Sequence, residues 1–305
     1  MSSVSEGRFP GSSVPLLTPP ARRATLLTDD GVPVEAVYEP CTAGSGAPAS
    51  HLPQGPAATP AIVVAHGFTG SADRPAVRRA ARVFAQRAAV ITFSFRGHGR
   101  SGGRSTVGDR EVLDLAAAVA WARELGHIRV VTVGFSMGGS VVLRHGALYA
   151  AEPMARASAV RVPEREGRTQ RTGAHSDAVV SVSAPARWYY RGTAPMRRLH
   201  WVVTRPSGRF VGRHGFRTRI ATEDWDPVPL SPVASVPLIA PAPLLLVHGD
   251  RDPYFPLDHP RMLAEAAGPG GAELWLERGM GHAENAADDG LLARIADWAT
   301  APPPA

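Results

Sequence analysis

The most informative chemical feature of this sequence is a serine placed between two glycines. Ser136 is the central residue of Gly-Phe-Ser-Met-Gly at residues 134–138. A β-branched run at residues 130–133 precedes the motif, and an apolar, helix-compatible run at residues 141–150 follows it. This order is typical of a tight strand-to-helix turn that exposes a serine hydroxyl for attack on an acyl group. The backbone amide of Met137 would then bind the oxyanion that forms.

The same glycine and serine pattern occurs a second time, at residues 99–103, with Ser101 at its centre. The strand before it is predicted to end near Phe95, and no helical pattern begins until about Gly108. Because no strand and helix adjoin this serine, the pattern lacks the geometry that exposes a nucleophile. We interpret Ser101 as a loop residue and Ser136 as the candidate nucleophile.

A serine nucleophile needs a general base and a carboxylate that orients this base. Among the 11 histidines, His282 lies in a glycine-rich loop between the last predicted strand and the last predicted helix. Two carboxylates, Asp250 and Asp252, follow the strand predicted at residues 243–248. The chain order serine, aspartate, histidine favours His282 as the base. Spacing along the chain does not indicate which aspartate faces it.

The elements that must position these residues alternate between strands and helices. This alternation predicts an α/β fold with a doubly wound, mostly parallel sheet of about eight strands, in which ligands bind at the carboxyl ends of the strands. The candidate residues follow the carboxyl ends of four predicted strands. Strands are predicted at residues 61–65, 90–95, 130–133, 178–183, 243–248 and 272–276, and a hairpin at residues 23–40. Helices are predicted at residues 74–88, 109–125, 141–150, 259–267 and 291–299.

Composition excludes several other classes of protein. The 305 residues include one cysteine, Cys41, so the chain cannot form an internal disulfide. The absence of lysine excludes a phosphate-binding P-loop, which needs that residue. No apolar stretch approaches the 18 residues of a transmembrane helix, and no signal peptide is recognisable. We therefore expect a cytoplasmic protein that needs no cofactor and no metal.

Taken together, these motifs resemble the α/β-hydrolase superfamily over residues 23–300, and most of all its serine-aminopeptidase-like and esterase-like branch with a short cap. The resemblance implies that Ser136, Asp252 and His282 form a catalytic triad. It also implies an oxyanion hole made by the amides of Phe68 and Met137, and a structural role for His66. The matching segments are His-Gly-Phe at 66–68, Arg-Gly-His-Gly-Arg-Ser at 96–101, the motif at 134–138, His-Gly-x-x-Asp at 248–252 and Gly-His at 281–282.

The function expected from this resemblance is hydrolysis of a small-molecule carboxylic ester or other acyl substrate. A peptidase or amidase and a thioesterase are alternatives that would use the same triad. A non-catalytic binding protein on this fold is a further alternative, because fold does not determine function. A nucleotide-dependent oxidoreductase is a fourth, because residues 97–102 also match Gly-x-Gly-x-x-Gly. That fingerprint requires a helix to begin inside the motif, and none is predicted there.

The domain organisation predicted is a single hydrolase domain at residues 21–301 that follows a disordered tail at residues 1–20. A flexible insertion is expected at residues 153–176, and a cap or lid at residues 185–241, where the strand–helix alternation is interrupted. Neither matches the family pattern.

The cap has an unusual charge. Residues 178–222 carry nine arginines and no acidic residue, a charge of +9 against +6 for the whole chain. We expect the aromatic residues of this segment to line an acyl pocket, while its arginines attract anionic substrates or an anionic membrane surface. An ordinary arginine-covered surface above an apolar underside is the alternative. Nucleic-acid binding is not expected, because no recognised binding module accompanies the charge.

Overall fold

The computed structural model describes residues 21–42, 59–150 and 171–302. The tail predicted at residues 1–20 and most of the predicted insertion lie outside these ranges. Eight strands form one sheet within the described residues: β1 Arg22–Leu27, β2 Pro33–Glu39, β3 Ala61–Ala65, β4 Ala89–Phe93, β5 Val130–Phe135, β6 Ala178–Val182, β7 Leu244–Gly249 and β8 Glu273–Glu277.

The strand order across the sheet is β1-β2-β4-β3-β5-β6-β7-β8. The first two strands form an antiparallel hairpin, β2 pairs antiparallel with β4, and every other pairing is parallel. This topology confirms the predicted doubly wound, mostly parallel sheet. Every residue of β3 to β7 is buried. Their continuous Val, Ile, Leu and Ala runs fit strands that are covered on both faces.

Helices cover the two faces of the sheet. The helices of the described residues are α1 Pro75–Phe84, α2 Glu111–Glu124, α3 Met137–Leu148, α4 Ala194–Thr204, α5 Pro206–His214, α6 Pro232–Ser235, α7 Asp258–Ala266, α8 Ala283–Ala286 and α9 Asp289–Thr300, with a 3₁₀ turn at Val236–Leu238. Alternate residues of β3 point to opposite sides, so that Val63 packs with α2 and α3 while Ile62 packs with α1 and α9. None of these helices has the length and apolar character needed to cross a bilayer.

One predicted boundary differs from the structure in a way that matters for the site. Helix α3 begins at Met137, directly after Ser136, and not at residue 141. The helical pattern is hidden there by Gly138 and Gly139, because glycine has low helix propensity. Strand β5 and helix α3 are therefore separated by the candidate nucleophile alone.

Helices α4 and α5 lie in the segment that interrupts the strand–helix alternation after β6. The chain that returns from them is bonded to the loop after β4, where the Ser105 amide donates to the Arg219 carbonyl at 2.7 Å and the Ala221 amide donates to the Ser105 carbonyl at 2.8 Å. These backbone hydrogen bonds hold the two helices above the carboxyl ends of the strands.

Candidate active site

Ser136 adopts a strained backbone conformation between β5 and α3, with φ of 53° and ψ of −113°. Such a conformation costs of order 1–3 kcal/mol and persists when the surroundings enforce it. A Cβ atom on Gly134 would lie 2.2 Å from the Gly138 carbonyl oxygen, and one on Gly138 would lie 2.2 Å from the Ala65 carbonyl oxygen. Both flanking positions therefore require glycine, and the turn presents the Ser136 hydroxyl at the end of the sheet.

His282 and Asp252 extend from this hydroxyl in a hydrogen-bonded series. The Ser136 Oγ lies 2.9 Å from His282 Nε2, and His282 Nδ1 lies 2.7 Å from Asp252 Oδ2. The other carboxylate oxygen, Asp252 Oδ1, accepts the amides of Tyr254 at 2.8 Å and Phe255 at 3.1 Å. A carboxylate can only accept here, so Nδ1 carries the imidazole proton and Nε2 is free to accept from the serine.

Asp250, the second aspartate of this loop, bonds elsewhere. Its Oδ1 accepts the amide of Gly279 at 2.6 Å, and its own amide donates to the Glu277 carbonyl at 3.1 Å. These contacts join the turn after β7 to the turn after β8. Asp250 thus supports the loop that leads to His282 and makes no hydrogen bond to the imidazole.

The loop after β3 holds Phe68, whose amide is one of the two expected oxyanion donors. Within the described chain, neither this amide nor that of Met137 donates to a protein acceptor. Burial lowers the pKa of the preceding His66 to about 3, so its ring is neutral near pH 7. The neutral ring donates from Nδ1 to the Gly67 carbonyl at 2.7 Å and accepts the Phe95 amide at Nε2 at 3.0 Å. Both interactions hold the loop in place.

Glu284 is a residue of the site that the sequence analysis missed. Its Oε1 accepts the amide of Gly67 at 3.1 Å, and its side chain is buried. A Cβ atom on Gly67 would lie 3.2 Å from this oxygen and 3.4 Å from the Ser136 Cβ. The carboxylate therefore lies behind the loop after β3, close to Ser136. The one feature of the sequence that could have pointed to Glu284 is its position two residues after His282.

The glycine-rich segment after β4 is occupied by structural contacts. The Ser101 hydroxyl donates to the Ser94 carbonyl at 2.5 Å and accepts the Glu35 amide at 3.0 Å. A Cβ atom on Gly99 would lie 2.4 Å from the Glu35 carboxylate. Helix α2 begins only at Glu111, so these glycines do not open a helix. The geometry required by the dinucleotide fingerprint is therefore missing.

A cavity of about 180 Å³ adjoins Ser136 and is roofed by α4. Trp188 and Trp225 form one wall with their ring centroids 5.2 Å apart. The indole N–H of Trp188 donates to the Pro229 carbonyl at 2.9 Å, and that of Trp225 donates to the Thr106 carbonyl at 2.7 Å. With these polar groups satisfied by the backbone, the rings contribute apolar surface to the cavity.

The expectation that the cap aromatics line this pocket is correct for three residues and wrong for three. Trp188, Tyr189 and Tyr190 line the cavity. Trp201, Phe210 and Phe216 do not line it, and 44%, 65% and 42% of their surfaces are exposed. Arg187 is the single cap arginine at the cavity, and Glu223 and Asp224 also line it. Its lining therefore carries no excess of positive charge.

Comparisons with known proteins agree with this fold. A model of the alpha/beta hydrolase family matches residues 62–295. An esterase of Pyrococcus furiosus is 21% identical with a TM-score of 0.62, over 92% of this chain and 91% of that one. An alpha/beta hydrolase of a Penicillium species is 17% identical with a TM-score of 0.61, over 92% and 98%. A Xanthomonas campestris serine hydrolase described as lacking a lid is 18% identical with a TM-score of 0.53, over 94% and 96%.

No curated protein matches the chain. The solved structures share too little sequence to show more than a common fold. The family model covers well over half of the 305 residues, including all of β4 to β8 and all but the first residue of β3. On this match, the protein belongs to the alpha/beta hydrolase family.

Proposed function

We propose that the protein is a serine hydrolase that cleaves carboxylic esters through an acyl-enzyme intermediate. The observation that carries the proposal is the series of hydrogen bonds from Ser136 through His282 to Asp252, with lengths of 2.9 and 2.7 Å. A serine hydroxyl is a weak nucleophile near neutral pH. An imidazole that accepts its proton, itself oriented by a carboxylate, removes this limitation.

In the first half of the reaction, Ser136 Oγ attacks the ester carbonyl carbon while His282 Nε2 takes the hydroxyl proton. The carbonyl oxygen becomes an oxyanion and accepts hydrogen bonds from the amides of Phe68 and Met137. Collapse of this tetrahedral species breaks the bond to the alcohol. The alcohol leaves with the proton that His282 returns to it, and the acyl group remains on the serine.

In the second half, His282 takes a proton from water, whose oxygen attacks the acyl-enzyme. The carboxylic acid leaves, and the proton returns to Ser136. Asp252 takes no proton in these steps: its Oδ2 stabilises the imidazolium while two backbone amides hold Oδ1. The lining of the cavity makes it the acyl site, since Met196, Leu199 and Trp188 offer apolar contact to an acyl chain.

Two observations favour an ester over an amide or thioester as the substrate. The Pyrococcus furiosus protein and a Rhodothermus marinus domain of similar fold are both described as esterases. The lining of the cavity also includes apolar side chains, among them Met196, Leu199 and Val203, that suit the acyl chain of an ester.

The test is a substrate panel with the purified enzyme. It would contain p-nitrophenyl esters of graded acyl length, an acyl thioester matched to one of them, and aminoacyl anilides. We expect kcat/KM to be highest for an ester and to fall by several orders of magnitude in Ser136→Ala. A higher kcat/KM for the thioester or an anilide would replace the ester assignment. Full turnover by Ser136→Ala would contradict the proposed nucleophile.

A further inference from the structure

Helix α5 packs against α4 through glycines. Gly208 and Gly212, one turn apart, are both buried. A Cβ atom on Gly208 would lie 2.1 Å from the Trp201 carbonyl oxygen, and one on Gly212 would lie 3.1 Å from Ile220. Glycines therefore occupy two of the positions of α5 that face α4, beside Arg209, whose guanidinium donates to the Val203 carbonyl of α4 at 3.2 Å.

Several large apolar side chains of α4, α5 and the turn after α5 are exposed. At 100° per residue, Phe210 lies about 160° around the helix from each of the two glycines. Nine large apolar residues are exposed in the described parts of the chain, and four of them lie within residues 201–216. Single exposed apolar residues are ordinary, but several within one short segment indicate an interaction site. The four are Trp201, Phe210, Val211 and Phe216, exposed by 44%, 65%, 39% and 42%.

The segment that carries these apolar residues is also rich in arginine. Residues 178–222 contain nine arginines and no acidic residue. Within the described ranges, Arg187 is the one member of the nine in an ion pair, with Asp258 at 3.3 Å. Seven of the others are exposed, and four of these are chosen because they lie close in the chain to the exposed apolar residues. We call these four and the four apolar residues the cap face; its arginines are Arg198, Arg205, Arg213 and Arg217.

We propose that the cap face docks the enzyme on an anionic lipid bilayer. Exposed Trp and Phe side chains insert at the boundary between headgroups and acyl chains, and arginines bind the phosphates beside them. Each basic residue near an anionic bilayer strengthens binding about fivefold. The docking goes beyond the proposed ester hydrolysis and does not depend on it.

Two other partners fit the cap face less well. A second copy of the chain, related by twofold symmetry, would place the same patch opposite itself and bring arginine against arginine. A nucleic acid would satisfy the arginines and could stack on the aromatic rings, but the aliphatic Val211 offers a base no ring to stack on. An anionic bilayer provides phosphates and an apolar layer at the same surface.

Docking in this way would also orient the candidate active site. Met196, Leu199 and Val203 of α4 line the cavity beside Ser136. Arg198 and Trp201 are exposed and lie on the other side of the same helix. The cavity would therefore be separated from the bilayer by one helix, about 10 Å. Esters partitioned into an anionic membrane are the substrate class that this arrangement favours, an extension that rests on the proposed ester hydrolysis, unlike the docking itself.

The test is vesicle co-sedimentation of the full-length protein. It compares phosphatidylcholine vesicles with equimolar phosphatidylcholine and phosphatidylglycerol vesicles. The charge variant combines Arg198→Gln, Arg205→Gln and Arg213→Gln, and the apolar variant combines Phe210→Ser and Phe216→Ser. Matched controls remove exposed residues outside the cap: Arg22→Gln, Arg82→Gln and Arg261→Gln together, and Leu27→Ser with Ile128→Ser.

We expect the wild type to bind the anionic vesicles at least tenfold more tightly than the neutral ones. The charge variant should lose about 100-fold of this affinity, the apolar variant at least tenfold, and the controls less than threefold. Equal losses in the control variants would overturn the proposal, as would failure to bind anionic vesicles. So would tighter binding to duplex DNA at the same salt, or a dimer that the cap variants abolish.

Turnover of a water-soluble ester, p-nitrophenyl acetate, is measured for every variant alongside vesicle binding. We expect the cap variants to keep this activity, because none of the changed residues lines the cavity. The measurement also shows that the variants are folded. Loss of vesicle binding with retained turnover separates the docking proposal from the proposed chemistry.

Discussion

Glu284 and Gly67 are 217 positions apart in the chain, yet the Glu284 carboxylate accepts the Gly67 amide at 3.1 Å. This hydrogen bond orients the His66–Gly67 peptide unit, the neighbour of the Gly67–Phe68 unit whose N–H is an expected oxyanion donor. We therefore expect Glu284 to act as a positioning residue. Removing the acceptor in Glu284→Ala should lower kcat about 10- to 100-fold, because a small misplacement of an oxyanion donor is costly.

The control for this prediction is Glu284→Gln, whose side-chain carbonyl still accepts the amide and should keep kcat within about threefold of wild type. Steady-state kinetics with a short p-nitrophenyl ester would measure both variants. KM should change little in either. If both substitutions slowed the enzyme equally, the negative charge would matter and the hydrogen bond would not.

The two neighbouring aspartates should separate chemistry from stability. Asp252→Asn should lower kcat by about 10⁴, because His282 loses the partner that fixes its tautomer. Asp250→Asn should leave kcat within about tenfold and lower the free energy of unfolding by about 1 kcal/mol, because it weakens the bond to Gly279. Steady-state kinetics would measure kcat for both variants, and urea denaturation would measure their free energies of unfolding. A larger catalytic loss at Asp250 would reverse the assignment.

The sequence predicted the core of this fold well because its signals are local. The strand predicted at residues 61–65 coincides with β3, and the one at residues 178–183 differs from β6 by one residue. Both are short β-branched and apolar runs with clear boundaries. The family match and the strand order confirm the predicted superfamily and sheet.

Contacts between distant segments could not be predicted in the same way. Nothing near Glu284 indicates that it meets Gly67, since the contact exists only when the loop after β8 closes over the loop after β3. The orientation of Phe210 likewise depends on which face of α5 packs inward. The spacing of Gly208 and Gly212 is the signal that could have indicated this face.

The proposed acyl site should control chain-length preference. Val203 lines the cavity from α4, so Val203→Phe would fill part of it. The loss of space for two methylenes should lower kcat/KM for octanoate esters about 10- to 100-fold while leaving acetate esters within about threefold. A series of p-nitrophenyl esters would measure this. The matched control is Val211→Phe on the outer side of the cap, which should change neither value.

The stability of the protein should depend on pH through its buried histidines. Burial, with His175 nearby, lowers the pKa of His145 to about 3. The unfolded chain binds a proton at this residue below pH 6.5, whereas the folded chain stays neutral until about pH 3. His145 therefore makes the free energy of unfolding decrease as the pH falls through this window, by about 1.4 kcal/mol at pH 5.5.

His145→Phe keeps an aromatic ring but cannot titrate, so it isolates this contribution. Urea denaturation of wild type and variant at pH 7.5 and 5.5 gives the measurement. The difference in unfolding free energy between the two proteins should shift by about 1.4 kcal/mol in favour of the variant at the lower pH. An unchanged difference would mean that folding does not lower the pKa of His145.

The central claim is that Ser136 is the nucleophile, and the chain supplies its own control. Ser136 and Ser101 both lie in Gly-x-Ser-x-Gly, but the Ser101 hydroxyl is bonded to backbone groups of Ser94 and Glu35. The most direct measurement is fluorophosphonate labelling followed by mass spectrometry of the labelled peptide. We predict that wild type and a folded Ser101→Ala protein are labelled on Ser136, and that Ser136→Ala is not labelled. Label on another residue, or undiminished labelling of Ser136→Ala, would contradict the claim.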